Sequence, residues 1–325
     1  MRVLVTGATQ GIGLAIVEGL VEALPMGGGR DNVHKIYLGC RDALRGQNLS
    51  YMYAGRKSLP PGVVVPLKLD VTDPASIAAA AATIATSGDT LDALVNNAGV
   101  LLEREGSDFK ELVEPTFRVN VDGVVAVTTA FQGMIRDGGQ IINVSSGAGT
   151  RAAGALDAAD LAELESADTA ASLRACITKL AHDAASKPHA AGETPIYGLS
   201  KCALNMYTRL VAREMPNLRV NACSPGFCRT NIAGKQVAYT REPKEAALGA
   251  SVVLKLLRSE LTGTDCFFKE ASKPGTPLAD ARSVAEPWVV REGGEKAAPA
   301  ASSDIQSPPP TSTISGGKRK VAAVQ

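Results

Sequence analysis

Short apolar runs alternate with longer stretches of helical periodicity along the chain as far as residue 268. Val3-Leu4-Val5 stops at Thr6-Gly7, after which apolar residues recur at helical spacing from Ile12 to Leu24. Ile36-Tyr37-Leu38 predicts a second strand, followed by a polar helix starting near Asp42. Val63-Val64-Val65 leads into Leu67-Lys68-Leu69-Asp70 as a third strand, and Asp73-Pro74 opens an alanine-rich helix with Asp as cap and Pro in the first turn. Leu91 to Val95 predicts a fourth strand ending in Asn96-Asn97-Ala98-Gly99, Phe109 to Met134 a long helix, and Ile141 to Val144 a fifth strand. Tyr197 to Met215 reads as helix, Arg219 to Cys223 as strand, Glu242 to Leu257 as helix and Cys266 to Phe268 as a last short strand. Strand and helix alternating in this way predict an α/β fold whose parallel sheet is covered on both faces. Right-handed crossovers make it doubly wound.

Two segments break the rhythm. Residues 149–194, between Ser146 and Tyr197, are rich in Ala, Asp and Glu and helical at Ala158 to Ala185. They read as a helical insertion in a single domain of residues 1–290, in plain terms a surface subdomain. From residue 291 the chain turns to Ala-Pro, Pro308-Pro309-Pro310, Ser/Thr and Lys318-Arg319-Lys320. So little apolar content predicts a disordered tail over 291–325, with the basic triplet a solubilising end rather than a localisation signal.

Composition narrows the classes. A formal net charge of +1 gives no reason to expect nucleic acid or an acidic membrane surface as partner. The six Cys occur singly, without Cys-x-x-Cys, and the three His do not fall at metal-ligand spacing with them. No metal is expected, and the cysteines read as small core residues of a reducing compartment. Four glycines between Gly7 and Gly19, together with Glu18, interrupt the N-terminal apolar stretch, which argues against a signal peptide. No run reaches the ~18 apolar residues of a membrane span. The expectation is a soluble, cytoplasmic protein.

Candidate chemistry begins at Tyr197-Gly198-Leu199-Ser200-Lys201. Residues four apart share a helix face, which places a phenol beside an ammonium. A charge about 4 Å away at an effective dielectric of ~20 favours the phenolate by roughly 4 kcal/mol. That predicts a phenol lowered by up to ~3 pKa units, into the range useful for acid–base catalysis. In a chain with six Tyr the same spacing also fits a solvated helix face. At the other end, Thr6-Gly7-Ala8-Thr9-Gln10-Gly11-Ile12-Gly13 joins the first strand to the first helix. Glycines there allow a tight turn and close approach of the backbone to a pyrophosphate at a helix N-terminus. At Gly39-Cys40-Arg41-Asp42, Cys40 leaves empty the position where an NAD site wants a carboxylate and Arg41 offers a bidentate partner to the 2′-phosphate of NADP, while Asp42 either tempers this or caps the next helix. This favours NADPH. Asp70 fits two roles equally, accepting from an adenine amino group or capping its own turn.

Taken in order, Thr6-Gly7-x-x-x-Gly11-x-Gly13, Leu69-Asp70-Val71, Asn96-Asn97-Ala98-Gly99, Val119-Asn120, Val144-Ser145-Ser146, Tyr197-x-x-x-Lys201 and Ser224-Pro225-Gly226 resemble the short-chain dehydrogenase/reductase family. The resemblance covers residues 1 to about 290 and is strongest to the carbonyl-reductase branch, through Gly7 to Val17, Cys40-Arg41-Asp42, Ser145-Ser146 before a long insertion, and Asn221 to Thr230. It implies a Rossmann fold and four catalytic residues. Tyr197 would protonate the carbonyl oxygen as hydride arrives, and Ser146 would hydrogen-bond that oxygen, with Ser145 structural. Lys201 would bind the nicotinamide ribose and lower the Tyr pKa, and Asn120 would hold a water relaying protons to Lys201. It also implies NADPH contacts from Gly7, Thr9, Gln10, Gly11, Ile12 and Gly13, from Arg41, from Asp70 and Val71, from Asn97, Ala98 and Gly99, and from Val119. Tyr197, Lys201, Pro225, Gly226 and Thr230 would complete the set on the nicotinamide side.

Three departures stand out. Gln10 replaces the basic residue usual in NADP-preferring carbonyl reductases, leaving Arg41 to carry the preference. Phe227 replaces a frequent Trp in the substrate wall, and the Pro25 to Asn32 loop, with three consecutive glycines, is longer than usual. The resemblance implies an NADPH-dependent reductase of ketones, aldehydes or quinones, its partner a small-molecule carbonyl substrate. A reductase with a narrower substrate (a pteridine, a steroid or a specialised metabolite) and a non-catalytic NADP-binding protein are the alternatives. Related enzymes pair through the helices near Asn120 and Tyr197, so an insertion covering that surface implies a monomer.

Overall fold

Apolar runs become strands close to where the pattern puts them. The computed structural model describes residues 1–23, 34–55, 59, 62–190, 192–233, 242–273, 276, 278, 282–286 and 288. The Pro25 to Asn32 loop and the tail from 291 lie outside the described residues. The strands are β1 (Arg2–Thr6), β2 (Lys35–Cys40), β3 (Val64–Lys68), β4 (Leu91–Asn96), β5 (Ile135–Val144), β6 (Arg219–Ser224), β7 (Cys266–Glu270) and β8 (Ser283–Glu286). They form one sheet in the order β3-β2-β1-β4-β5-β6-β7-β8. Every pairing is parallel except that of β8 with β7. The helices are α1 (Gly11–Glu22), α2 (Ala43–Ala54), α3 (Pro74–Thr86), α4 (Phe109–Phe117), α5 (Gly123–Phe131), α6 (Gly147–Ala155), α7 (Ala158–Ser166), α8 (Ala170–Ala185), α9 (Pro195–Glu214) and α10 (Ala246–Leu257). Among the described residues none is long and apolar enough to cross a membrane.

The sheet is buried on both faces, as continuous apolar runs require. Val3 and Val5 point into one core with Ile16, Leu20, Val253 and Leu256, while Leu4 points into the other with Phe117, Val127 and Leu210. Strand order reverses between β1 and β4, so a crevice opens at their carboxyl ends, where ligands of such sheets bind. A buried polar chain fixes what borders it. Asn96 Nδ2 donates to Asn143 Oδ1 at 2.9 Å and to Thr128 Oγ1 at 3.1 Å, and Asn143 Nδ2 donates to Thr208 Oγ1 at 2.9 Å. These bonds lock α5 and α9 in register with β4 and β5.

Several elements differ from the sequence expectation. The helix expected over Phe109 to Met134 is α4 and α5 joined by one π-helical turn, Arg118–Asp122, and closed by a 3₁₀ turn, Gln132–Met134. Pro115 inside α4 has no N–H to give the helical ladder, which loosens this stretch. The insertion holds separate helices rather than one over Ala158 to Ala185. α7 ends at Ser166, and Thr169 starts α8 with a capping box to Ser172. α9 starts two residues before Tyr197 because Pro195 suits the first turn. β5 begins at Ile135, before the apolar run, with a register shift opposite β4 between Leu91 and Ala93. β8 has half-exposed polar ends and no apolar run to announce it.

Candidate active site

The glycine turn is built by steric necessity. Gly7 and Gly11 have φ of +63° and +54°, the left-handed region that side chains disfavour. Gly13 is helical, yet a Cβ there would lie 2.4 Å from the Gly7 carbonyl oxygen and 2.5 Å from Asn97 Nδ2. Thr6 Oγ1 accepts from the N–H groups of Asn97 and Ala98 at 3.0 and 2.9 Å, and Asn97 Nδ2 donates back to Thr6 O at 2.8 Å. The Asn97 side chain is therefore a brace between β1 and β4, and only its remaining surface faces the crevice. Gln10 opens α1 without a capping side-chain bond, and Thr9, Gly11 and Ile12 line the crevice beside it.

At the outer end of the crevice, Arg41 follows β2 and Asp42 caps α2 by accepting from Arg45 N at 3.0 Å. That cap places Arg45 in the crevice wall with Arg41. Sequence reasoning missed Arg45; its position one turn after Arg41, behind a capping Asp, was the available signal. Asp70 Oδ1 accepts from the Thr72 backbone N–H at 2.9 Å and from Thr72 Oγ1 at 2.7 Å, so the turn-capping role is filled. Burial pushes the Asp70 carboxyl up, but the Thr72 hydrogen bonds and the Arg41 and Arg118 charges outweigh it, and the pKa falls below the usual value. Val71 and Val119 line the same wall.

The inner end gathers the expected catalytic group. Ser146 closes β5 as the N-cap of α6, its Oγ accepting from Ala148 N at 3.1 Å. Ser145 points the other way, donating to Asn205 Oδ1 at 2.7 Å, a structural bond. Asn120 lies in the π turn with both amide hydrogens committed, to Val100 O at 2.8 Å and Ser200 Oγ at 3.0 Å, while its Oδ1 accepts from Val100 N at 2.8 Å. A Cβ on Gly99 would lie 3.3 Å from Asn120 Oδ1 and 3.5 Å from Lys201 Nζ, so Gly99 is what lets these groups approach. Lys201 is 3% exposed, with Nζ donating to Val144 O at 2.9 Å. Tyr197 and Lys201 border the crevice with Ser146, Pro225, Gly226 and Thr230.

The expected electrostatics of the pair need correcting. Lys201 Nζ sits 5.8 Å from the Tyr197 ring centroid and is held by a strand carbonyl. Burial lowers the lysine to about 8. Burial also pushes the Tyr197 phenol up to about 12; the Ser146 hydroxyl opposes the rise and the Glu103 charge adds to it. Helical spacing put the two side chains on one face, but it carried no information about the desolvation that dominates both.

Beyond Tyr197 the crevice widens between the 101–109 segment, Arg151, the end of α8 and the 226–232 segment. Gly226, at φ +80°, leaves room for Lys244, whose ammonium pairs with the fully buried Glu270. The whole cleft encloses about 2150 Å³. That exceeds the ~300–1,000 Å³ of ordinary small-molecule sites and accommodates a dinucleotide with a second molecule beside it.

Comparison with known proteins agrees with this geometry. The short chain dehydrogenase family model matches residues 1–158. Carbonyl reductase [NADPH] 1 of Sus scrofa is 30% identical over 303 residues, covering 88% of this chain and 96% of the pig protein. The chain belongs to the short-chain dehydrogenase family. As a member of that family it is an oxidoreductase. Among solved structures, salutaridine reductase from Papaver somniferum superposes with a TM-score of 0.63 at 25% identity, covering 79% of this chain and 95% of its own. NADPH-bound carbonyl reductase from chicken fatty liver gives 0.59 at 25% identity, covering 82% and 95%.

Proposed function

We propose that the protein is an NADPH-dependent carbonyl reductase acting on ketones, aldehydes or quinones. The observation that carries this reading is the meeting of Ser146, Tyr197 and Lys201 at one end of a cleft whose other end is the glycine turn with Arg41 and Arg45. The residues present fit NADPH. Gly7, Gly11 and Gly13 leave backbone bare at the N-terminus of α1, Arg41 and Arg45 line the cleft beyond Cys40, which stands where an NAD site has a carboxylate, and the pig relative is a carbonyl reductase [NADPH].

When bound, NADPH supplies a hydride to the carbonyl carbon. Tyr197 gives its phenol proton to the carbonyl oxygen, leaving an alcohol, and Ser146 directs its hydroxyl at the same oxygen. Charge developing there is thus met by donors already in position. Lys201 spends one N–H on Val144 O and keeps two for ribose hydroxyls. Asn120 has one Oδ1 lone pair left for a proton relay towards Lys201.

A narrower substrate is the second reading. It is favoured by charged groups in the outer cleft (Arg104, Arg151, Lys187) and by the similarity to salutaridine reductase. A broad panel of quinones, aryl ketones and keto-esters with both cofactors separates the two. Tyr197→Phe is expected to abolish turnover, by about 10³-fold or more, while NADPH binding measured by fluorescence stays nearly intact. A variant as active as wild type would exclude this mechanism.

A further inference from the structure

α6 starts on Ser146 and carries a single ionisable residue, Arg151, which no motif singled out. Arg151 shares its helix face with Gly147, one turn earlier. Long side chains on a helix lean back over the preceding turn, so this guanidinium is directed towards the end of α6 that Ser146 caps. The structure places it there: a Cβ on Gly147 would lie 3.3 Å from Arg151 Nη1. Gly147 thus leaves the space into which the guanidinium folds, next to the residue expected to bind the carbonyl oxygen.

The first N–H groups of α6 are spent within the fold. Gly147 N–H donates to Ser224 Oγ at 3.1 Å, Ala148 N–H to Ser146 Oγ at 3.1 Å and Gly149 N–H to Ser146 O at 3.0 Å. The open donors of α6 are therefore those of the guanidinium, which makes no hydrogen bond or ion pair among the described residues. Other cations of the cleft are engaged: Arg104 donates to the carbonyls of Glu103 and Ile232 at 2.6 and 3.3 Å, Lys244 pairs with Glu270, and Lys269 with Glu286. Lys187 and Lys273 line the cleft from segments after α8 and β7, and only Arg151 shares an element with Ser146. Glu103 also borders the cleft, but it is 4% exposed and its Oε1 accepts from the Tyr197 backbone N–H at 2.7 Å, so it caps α9 and leaves Arg151 unpaired. An exposed guanidinium with its charge uncompensated thus stands in the cleft wall at its catalytic end.

We propose that Arg151 is a specificity-determining residue whose guanidinium holds a carboxylate carried beside the reacting carbonyl, which makes short keto acids favoured ketone substrates of this cleft. The inference rests on the reductase reading above. The planar fork of an arginine matches a carboxylate with two parallel N–H···O bonds. A carboxylate leaves the adjacent ketone less electrophilic than the matching ester does, and hydride addition brings alkoxide charge up against it. A guanidinium already in place offsets both effects. The ketone takes a hydride from NADPH at carbon and the Tyr197 proton at oxygen, giving the hydroxy acid and NADP⁺ with the carboxylate unchanged.

Phenylglyoxylate and its methyl ester test this at saturating NADPH, since they share the ketone and differ in charge. The unsubstituted protein is expected to show the higher kcat/KM on the acid. Arg151→Met, which keeps an unbranched chain without the charge, is expected to lower the acid-to-ester ratio about tenfold or more, chiefly through the KM of the acid. Arg151 also acts on the Tyr197 phenol, an influence common to both substrates that the ratio cancels. Added salt is expected to lower kcat/KM for the acid and not for the ester. A ratio that Arg151→Met leaves unchanged overturns the proposal, as does the ester as better substrate of the unsubstituted protein, or a parallel salt response. If neither compound is reduced, the reductase reading fails, and calorimetric titration of the NADP⁺-saturated protein with phenylglyoxylate still decides the site. Binding that Arg151→Met weakens by the same factor upholds it; no binding, or binding that the substitution leaves alone, overturns it.

Discussion

Arg41 and Arg45 show how much one residue can redirect. With Cys40 where a carboxylate would stand and Gln10 where a basic side chain is usual, the proposed preference for NADPH falls to Arg41, just before α2, and Arg45, in its first turn, which both line the cleft. A charge-assisted hydrogen bond is worth about 1.5–3 kcal/mol, a factor of roughly 10–100 in affinity. Arg41→Ala and Arg45→Ala are each expected to raise the KM for NADPH by about tenfold or more, leaving that for NADH nearly unchanged. Steady-state kinetics with both cofactors checks it; parallel rises would assign the arginines to the fold instead. Arg41 was legible from its place after the second strand. Arg45 was not, because only the Asp42 cap fixes which side of α2 begins at the crevice.

At the scale of elements, the strand-to-helix turn at Gly7–Gly13 is the most constrained piece of backbone in the site. Its glycines differ in kind: Gly7 and Gly11 are needed for their dihedral angles, Gly13 for the approach of α1 to the turns that follow β1 and β4. Gly13→Ala would drive a methyl into the Gly7 carbonyl and the Asn97 amide, both backed by buried structure. Overpacking of this kind costs about 1–3 kcal/mol. The variant is expected to melt several degrees lower and to bind NADPH at least tenfold more weakly, read by thermal unfolding and fluorescence titration. Retention of both properties would show that the brace can shift. The break between α4 and α5 belongs to the same scale. Phe109 to Met134 read as long and mostly helical, whereas the structure inserts a π turn that brings Asn120 against Val100 and Ser200.

For the whole molecule, the insertion decides which surfaces remain free. α8 buries Leu173, Ile177, Leu180 and Ala181 in the core that α4 and α9 share. Arg174 ties it down, with Nη2 on Glu114 at 2.9 Å, Nε on Asp122 at 2.8 Å and the guanidinium 5.0 Å from the Phe117 ring centroid. A helix packed this way occupies the face through which related enzymes would pair, so light scattering is expected to report a monomer; a dimer or tetramer would refute that. Strand and helix order, the doubly wound sheet and the residues of the glycine turn and of Tyr197-x-x-x-Lys201 followed from the sequence alone, because hydrophobic period and glycine chemistry are local properties. Asn97 and Asn120 as braces, the π turn, Arg45 in the wall and Glu103 beneath Tyr197 were decided only by the tertiary structure. Each depends on which distant backbone group a polar side chain meets once water is excluded, and for the same reason burial, not the lysine, dominates the phenol of Tyr197.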